Sequence, residues 1–172
     1  MTARVVAWLS EGTWQAVVDT VATTLDSMNS VPDVVLLYVL DSQIGEAVQG
    51  AFSGLLGRRM PERDPGAAVT DAARTAASAL LDAAHRRLGA PAESIVRAGR
   101  VEREVVAACT GADLLVCARD GDRSRLGPHS LGHATRFVVD HAPCAVLLIW
   151  PDTAPGLGSI PPHPGDHPGP HR

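Results

Sequence analysis

The chain has 172 residues, a formal net charge of −4 and a pI near 5.9. This balance argues against nucleic acid or an anionic membrane surface as a partner. No apolar stretch approaches the roughly 20 residues that a membrane-spanning helix needs. The length suits one domain, which we assign to residues 1–150, because residues 151–172 are rich in Pro, Gly and His and are expected to form a disordered tail.

The cysteines and the first residues indicate the compartment. Cys109, Cys117 and Cys144 lie in apolar stretches and form no C-x-x-C motif. Buried, reduced thiols in a cytoplasmic protein are the interpretation we favour. Residues 1–13 contain a single Arg, a brief apolar run and no small-residue cleavage site, so they are interpreted as a first strand and not as a signal peptide.

The first 40 residues predict a strand, a helix and a second strand. Arg4–Leu9 and Val34–Leu40 are apolar runs of strand length, and Ser10 and Thr13 offer N-cap oxygens to the helix between them. Apolar residues recur on one face of that helix, namely Trp14, Val17, Val18, Val21, Leu25 and Met28. Two apolar strands joined by a helix indicate a parallel pair.

The middle of the chain is less regular. Residues 41–67 contain one short amphipathic pattern, from Ile44 to Leu56, which indicates a helix. A longer helix is predicted over Ala68–Leu88, then a strand over Glu93–Ala98 and a helix over Val101–Thr110. The apolar stripe predicted for the long helix consists of Val69, Ala73, Ala76, Leu80, Ala84 and Leu88.

The last part of the domain contains the most informative pattern. Leu114–Ala118 and Ala145–Trp150 are apolar runs too short for helices, and a Gly-rich polar loop follows the first of them. Between loop and second run, Leu131, Ala134 and Val138 recur at helical spacing. The chain is therefore an α/β protein with a five-stranded parallel sheet and helices on both faces, and ligands bind such sheets at the carboxyl ends of the strands.

Four segments resemble the universal stress protein family. They are VVLLYVLD at 34–41, AVQGAFSGLLG at 47–57, DLLV at 113–116 and GHATRFVVDHAPCAVLLI at 132–149. The resemblance covers about residues 4–150 and implies a doubly wound sheet of order 3-2-1-4-5. In that order the loops after Leu9 and Ala118 converge at the switch point of the sheet.

The resemblance also implies a nucleotide crevice. Some family members bind ATP with an Asp after the first strand, a Val late in the second, and a G-x2-G-x9-G-S/T loop after the fourth. Here Ser10 (or Leu9, depending on where the gap is placed) stands at the Asp position, Ala118 replaces the first Gly, and His133 replaces the Ser or Thr. Ten residues, not nine, separate the second and third Gly. The candidate nucleotide contacts are Ser10, Val39, Ala118, Gly121, Arg123, Gly132, His133 and Ala134.

Two hypotheses follow for this crevice. The preferred one is a degenerate site that binds ATP weakly or not at all, because an Ala and an extra residue change the curvature of the phosphate cradle. The alternative is a regulatory ATP-binding protein with a rebuilt cradle of Gly, Arg and His. Its cations are Arg119, Arg123, Arg125, His129 and His133, and Asp120 and Asp122 offset two of these charges. No cofactor is certain, and ATP is the candidate.

Residues 145–150 form the last strand, which the resemblance puts at an edge of the sheet. Family members pair this strand with its copy, so we expect a homodimer. The alternative is that the tail covers this edge within one chain.

The sequence favours a non-enzymatic stress-response domain, since it offers no nucleophile, base and metal in one motif. Metal binding by His129 and His133, or by His163, His167 and His171 of the tail, is the less favoured interpretation of those histidines.

Overall fold

The computed structural model describes residues 2–28, 30–42 and 65–162. The predicted helix at Ile44–Leu56, the family-like segment 47–57 and the tail histidines lie outside the described residues. No helix within the described ranges has the length and apolar character needed to cross a membrane. The strands are β1 (Arg4–Leu9), β2 (Asp33–Asp41), β3 (Glu93–Gly99), β4 (Leu114–Ala118) and β5 (Ala145–Ile149). The helices are α1 (Trp14–Asp26), α2 (Pro65–Leu88), α3 (Val101–Ala108) and α4 (His133–His141).

The five strands form one parallel sheet of order β3-β2-β1-β4-β5, which confirms the predicted doubly wound topology. β1 lies at the centre, where Val5 is aligned with Val34 of β2 on one side and with Leu114 of β4 on the other. The chain builds outward through β2 and β3, then returns to place β4 and β5 on the opposite side of β1. This reversal is the switch point at which such sheets bind ligands.

Side chains of each central strand alternate between two apolar layers. Val5, Ala7 and Leu9 pack against α1 and α2, whereas Val6 and Trp8 pack against α3 and α4. The helices therefore cover both faces, as predicted. Because both faces are buried, each central strand appears in the sequence as an unbroken apolar run.

Helix α2 differs from its prediction in two ways. It begins at Pro65, not at Ala68, which fits the preference of proline for the first turn of a helix. Its buried stripe is also shifted in the first half, where Ala76 and Val69 are exposed. The buried residues are Ala77, Leu81, Ala84 and Leu88. Alanine occurs on both the buried and the exposed face of this helix, so the apolar pattern alone did not distinguish the two faces.

Helix α3 is shorter than predicted, and α4 begins later than its predicted apolar pattern. α3 ends at Ala108, and the chain turns at Gly111, whose φ of +75° favours glycine. α4 begins at His133, because Gly132 is extended (φ −65°, ψ 171°) and a 3₁₀ turn over Pro128–Ser130 precedes it. Leu131, predicted on the helix, lies before it.

Candidate functional site

The candidate crevice lies at the carboxyl end of the sheet, between β1 and β4. These strands are neighbours, so the turn after Leu9 and the loop after Ala118 leave adjacent strands at the same edge. We refer to residues 10–13 as the first turn and to residues 119–132 as the Gly-rich loop. The first turn leads into α1, and the Gly-rich loop leads into α4.

Ser10 holds the first turn together. Its carbonyl accepts hydrogen bonds from the amides of Thr13 (3.3 Å) and Trp14 (3.1 Å). Its hydroxyl lies 2.8 Å from the Thr13 hydroxyl. Thr13 is the N-cap residue of α1, but its side chain makes no capping hydrogen bond to the helix, contrary to the expectation from the sequence. The polar groups of Ser10 thus serve the turn itself.

Glu11 is a polar residue of the crevice that the sequence analysis missed. Burial raises the pKa of Tyr38, and the charge of Glu11 and a hydrogen bond to its carboxylate raise that pKa further. Tyr38 lies opposite Leu9 in the β1–β2 register, so its ring reaches the first turn. An acid two residues after β1, together with a tyrosine in the second half of the neighbouring strand β2, was the available signal. A carboxylate is therefore present at this edge of the sheet, one residue after Ser10.

The Gly-rich loop closes on itself. The Gly121 amide donates to the Ser130 carbonyl (2.9 Å), and the Asp122 amide donates to the His129 carbonyl (2.8 Å). A Cβ at position 121 would lie 2.8 Å from backbone carbons of Ser130 and Leu131, so glycine is required for this approach. Two amides that a phosphate cradle would direct at its ligand are consequently used within the loop.

Asp120 occupies the start of α4. Its carboxylate accepts a hydrogen bond of 2.8 Å from the amide of Gly132, the N-cap residue. Both carboxylate oxygens lie 2.9 Å from the position that a Gly132 Cβ would take. Helix N-termini attract anions, and at the N-terminus of α4 this anion is the Asp120 carboxylate. Gly132 thus allows a close approach, but the group that approaches is Asp120.

Arg119 and Arg136 are also engaged inside the site. The Arg119 guanidinium lies 4.8 Å from the centroid of the Trp150 ring and donates to the hydroxyl of buried Ser130. Arg136 donates to the Pro128 carbonyl at 2.8 Å. Both guanidinium groups therefore hold the loop in shape.

Arg123 and Arg125 pair with acids. Arg123 Nη1 lies 3.0 Å from Asp152 Oδ2, and Arg125 Nε lies 3.6 Å from Asp122 Oδ2. Hydrogen bonds from the Ser124 hydroxyl (2.6 Å) and amide (3.0 Å) hold the pKa of Asp122 below its ordinary value, and the charge of Arg125 contributes to this. The loop is basic in composition, but these two cations have partners within the chain.

The comparisons with known proteins assign this architecture to a family. A model described as the universal stress protein family matches residues 15–149. This chain belongs to the universal stress protein family. No curated protein sequence matches it significantly.

Solved structures of similar fold include the hypothetical protein MJ0577, with a TM-score of 0.63 and 15% identity over 90% of this chain and 99% of that one. A universal stress protein in complex with cAMP has a TM-score of 0.57 and 17% identity, over 88% of this chain and 98% of that one. Universal stress protein UspA from Lactobacillus plantarum has a TM-score of 0.56 and 20% identity, over 86% and 97%. At these identities the likeness shows the fold.

The predicted nucleotide contacts of this universal stress protein do not share one surface. Val39 belongs to the apolar layer under α3 and Ala118 to the layer under α1, so their side chains lie on opposite faces of the sheet. Gly121 and Gly132 come together through the closed loop and Asp120. His133 is exposed, and Ala134 packs against the layer under α3 and α4.

The two histidines of the loop do not share a helix face. His129 lies in the 3₁₀ turn and His133 is the first residue of α4, with the extended Gly132 between these elements. Within residues 2–28, 30–42 and 65–162, no group of three His, Cys, Asp or Glu side chains is arranged to hold a metal ion.

The three thiols of this universal stress protein converge, which their sequence spacing did not indicate. Cys109 and Cys117 are buried in the layer under α3 and α4, and Cys144 packs against that layer. All three are free. Burial raises the pKa of Cys109 to about 12, with further contributions from Cys144 and Cys117. Burial likewise raises the pKa of Cys117 to about 12, and the charge of Asp120 adds to this. Thiols held protonated in this way are poor nucleophiles.

Proposed function

We propose that this chain is a non-enzymatic, homodimeric stress-response domain whose nucleotide crevice binds ATP weakly or not at all. The observation that carries the proposal is the Asp120 carboxylate on the amide of Gly132. A phosphate at that point would have to displace a like-charged group from a hydrogen bond. The crevice is the place to test, because one solved relative of the same fold was obtained in complex with cAMP.

The loop itself supports the proposal. Opening a cradle would break the hydrogen bonds of the Gly121 and Asp122 amides. It would also draw Arg123 away from Asp152, although that pair is exposed and contributes little stability on its own. Each broken contact lowers the affinity that remains for a ligand.

The absence of an enzymatic role is part of the same proposal. The side chains at the described crevice include a hydroxyl pair, the acids Glu11, Asp120 and Asp122, which all have partners, and several paired arginines. The thiols lie in a buried layer and have raised pKa values. We therefore assign neither a nucleophile nor a general base.

Calorimetric titration with Mg-ATP tests the crevice. We expect no binding tighter than about 1 mM for the unaltered chain. Asp120→Asn removes the blocking charge and is expected to strengthen binding, whereas Asp140→Asn removes an equal charge at an exposed position of α4 and serves as the control.

A micromolar constant for the unaltered chain would overturn the degenerate crevice. The alternative hypothesis, a rebuilt Gly, Arg and His loop, would then take its place. In that case Arg123→Gln and His133→Ala are each expected to weaken binding.

The homodimer is proposed through the outer edge of β5. β5 pairs with β4 along one side and ends the sheet. Its residues are all apolar, and Leu147 is 36% exposed. The opposite edge strand, β3, carries Glu93 and Arg97, charges that discourage edge pairing. The uncharged edge is thus the better surface for a second copy.

Light scattering tests the dimer with a matched pair of variants. Leu147→Lys introduces a charge on the β5 edge strand and is expected to yield monomer. Val96→Lys introduces the same charge on β3, where the native side chain is 40% exposed, and is expected to leave the dimer intact. A dimer that survives Leu147→Lys would rule out this edge.

We further propose a cytoplasmic domain over residues 1–150, with residues 151–172 as an extension. Free thiols at all three cysteines fit a reducing compartment. The net charge of −4 disfavours nucleic acid and anionic membranes as partners. Cell fractionation checks the compartment, and recovery of the chain in a membrane fraction would contradict it.

A further inference from the structure

Residues 151–162, which we call the C-terminal segment, run beside the Gly-rich loop. β4 and β5 are parallel neighbours, and their last residues, Ala118 and Ile149, are paired. Both strands therefore release the chain at the same end of the sheet. The Arg119 amide, at the start of the loop, donates to the Ile149 carbonyl (2.9 Å). The loop and the C-terminal segment thus diverge from one hydrogen-bonded point.

Two polar contacts join the segment to the loop farther along. Arg123 forms an ion pair with Asp152 at 3.0 Å. The amide of Leu126 donates to the hydroxyl oxygen of Ser159 at 3.0 Å. That hydroxyl donates its single proton to the Gly156 carbonyl (2.6 Å), so it can only accept from Leu126. The hydroxyl is therefore oriented toward the loop by the 3₁₀ turn that contains it.

The segment is attached by polar groups and not by a core. Leu157 is 79% exposed and Ile160 is 55% exposed, so neither anchors the segment in the apolar layers. The Asp152 side chain is 75% exposed, and such ion pairs are weak and sensitive to salt. Segments with few buried apolar contacts open locally while the rest of the domain stays folded.

We propose that the C-terminal segment is a releasable strap, which keeps the Gly-rich loop closed and Asp120 on the amide of Gly132. This inference rests on the proposed function, because it concerns the regulation of the same crevice. The strap holds the loop at Arg123 and Leu126, between Gly121 and the 3₁₀ turn, the part that must move if the loop is to open. Its release increases the open population, and apparent anion affinity rises by the same factor.

Amide exchange in the full chain tests the strap. The double variant Asp152→Asn, Ser159→Ala removes both contacts and leaves the core untouched. We expect exchange at Gly121, Asp122 and Gly132 to become about fivefold faster or more. None of these three amides bonds to the substituted side chains, so faster exchange would report opening of the loop.

The control variant is Asp82→Asn, Ser78→Ala, which makes the same chemical changes on exposed positions of α2. We expect native exchange in the loop of this control. Native exchange at the three amides of the strap variant, with its circular dichroism and thermal unfolding retained, would overturn the strap.

Titration of the unaltered chain with Mg-ATP separates the two proposals. Tight binding of Mg-ATP by the unaltered chain would contradict the proposal that the crevice is degenerate. The strap proposal would then be tested by the amide-exchange result alone. A strap variant with faster exchange and stronger Mg-ATP binding than the control would support both.

Discussion

The central sheet and the Gly-rich loop are stabilised by different kinds of interaction. The sheet is built from aliphatic side chains that are buried on both faces, such as Val5, Leu36 and Val116. The loop is built from single polar contacts, among them the Asp120 carboxylate on Gly132. In the sheet, many apolar residues of suitable size satisfy the same requirement. In the loop, each hydrogen bond or ion pair requires a particular polar group at a particular position.

This difference explains how the family fold persists while the sequence diverges. The chain keeps the fold of solved proteins that share only 15–20% of its residues. A core tolerates such divergence when volume and pattern are retained. In the loop, by contrast, a single acid at position 120 determines which group bonds to the amide of Gly132. Substitutions in the sheet and in the loop should therefore differ in their effect on stability.

The largest effect is expected in the sheet. Leu36→Ala removes a fully buried side chain from β2 and is expected to lower the free energy of unfolding by about 2–5 kcal/mol. Val31→Ala, at a site 78% exposed, is expected to change it by less than about 0.5 kcal/mol. Urea unfolding measures both, and equal losses would contradict the assigned core.

The buried thiols of the layer under α3 and α4 are expected to make the domain less stable in alkali. Unfolding returns Cys109 and Cys117 from pKa values of about 12 toward 9.0. Between these values the unfolded chain has lost protons that the folded chain retains, so stability falls as pH rises. The expected slope is about 1.4 kcal/mol per pH unit for each thiol, and Tyr38 acts in the same sense at higher pH. Urea midpoints at about pH 8 and about pH 10.5 measure it; equal stabilities would refute it.

Two glycines allow a matched test of the loop. Gly121→Ala places a Cβ 2.8 Å from the backbone of Ser130 and is expected to cost about 1–3 kcal/mol. Gly156→Ala meets no atom within 4 Å and keeps a φ of −65° that alanine accepts, so a change within about 0.5 kcal/mol is expected. Thermal unfolding compares them. If Gly121→Ala leaves the unfolding temperature unchanged, the loop is open in solution.

The smallest effect is expected at Asp122. Its pKa is lowered in the folded chain, so its stabilising contribution is present above the ordinary value of 3.8 and is lost as pH falls through the folded pKa. The protection of the Ser124 amide, which donates to this carboxylate, is expected to fall over that acidic range when its exchange rate is divided by the intrinsic rate at each pH. Asp122→Asn should remove this dependence, whereas Asp140→Asn should retain it. A Ser124 protection factor that does not change with pH in the unaltered chain would disprove the contact.

The fold was predictable because burial on both faces leaves a direct mark on the sequence. The bounds predicted for β1 match the structure, and β2 extends the prediction by one residue at each end. The buried row of α2 was partly wrong, because Ala76 and Ala77 have the same side chain and only packing distinguishes them. Periodicity therefore identified the element better than it identified the face.

The neighbouring positions of the first turn and the Gly-rich loop were predictable, but their side-chain contacts were not. The resemblance located Gly121 and Gly132 in one loop, and the sheet order confirms that this loop lies beside the first turn. It did not indicate that Asp120 would bond to Gly132, twelve positions later. Nor did it indicate the role of Glu11 beside Tyr38. A polar side chain has several possible hydrogen-bond partners in the sequence. Which of them it bonds to is decided only when the folded backbone brings one within hydrogen-bonding distance.

The sequence by itself determined the sheet, its parallel strands and the edge at which the first turn and the Gly-rich loop meet, because apolar patterning acts through burial and depends little on which neighbour provides the cover. Only the tertiary structure decided the partners of Asp120 and of the loop arginines, which thiols meet and where the C-terminal segment lies. Those outcomes depend on hydrogen bonds and ion pairs, whose energies fall steeply with distance and angle. A polar contact between residues 126 and 159 therefore requires the folded backbone on both sides before it exists.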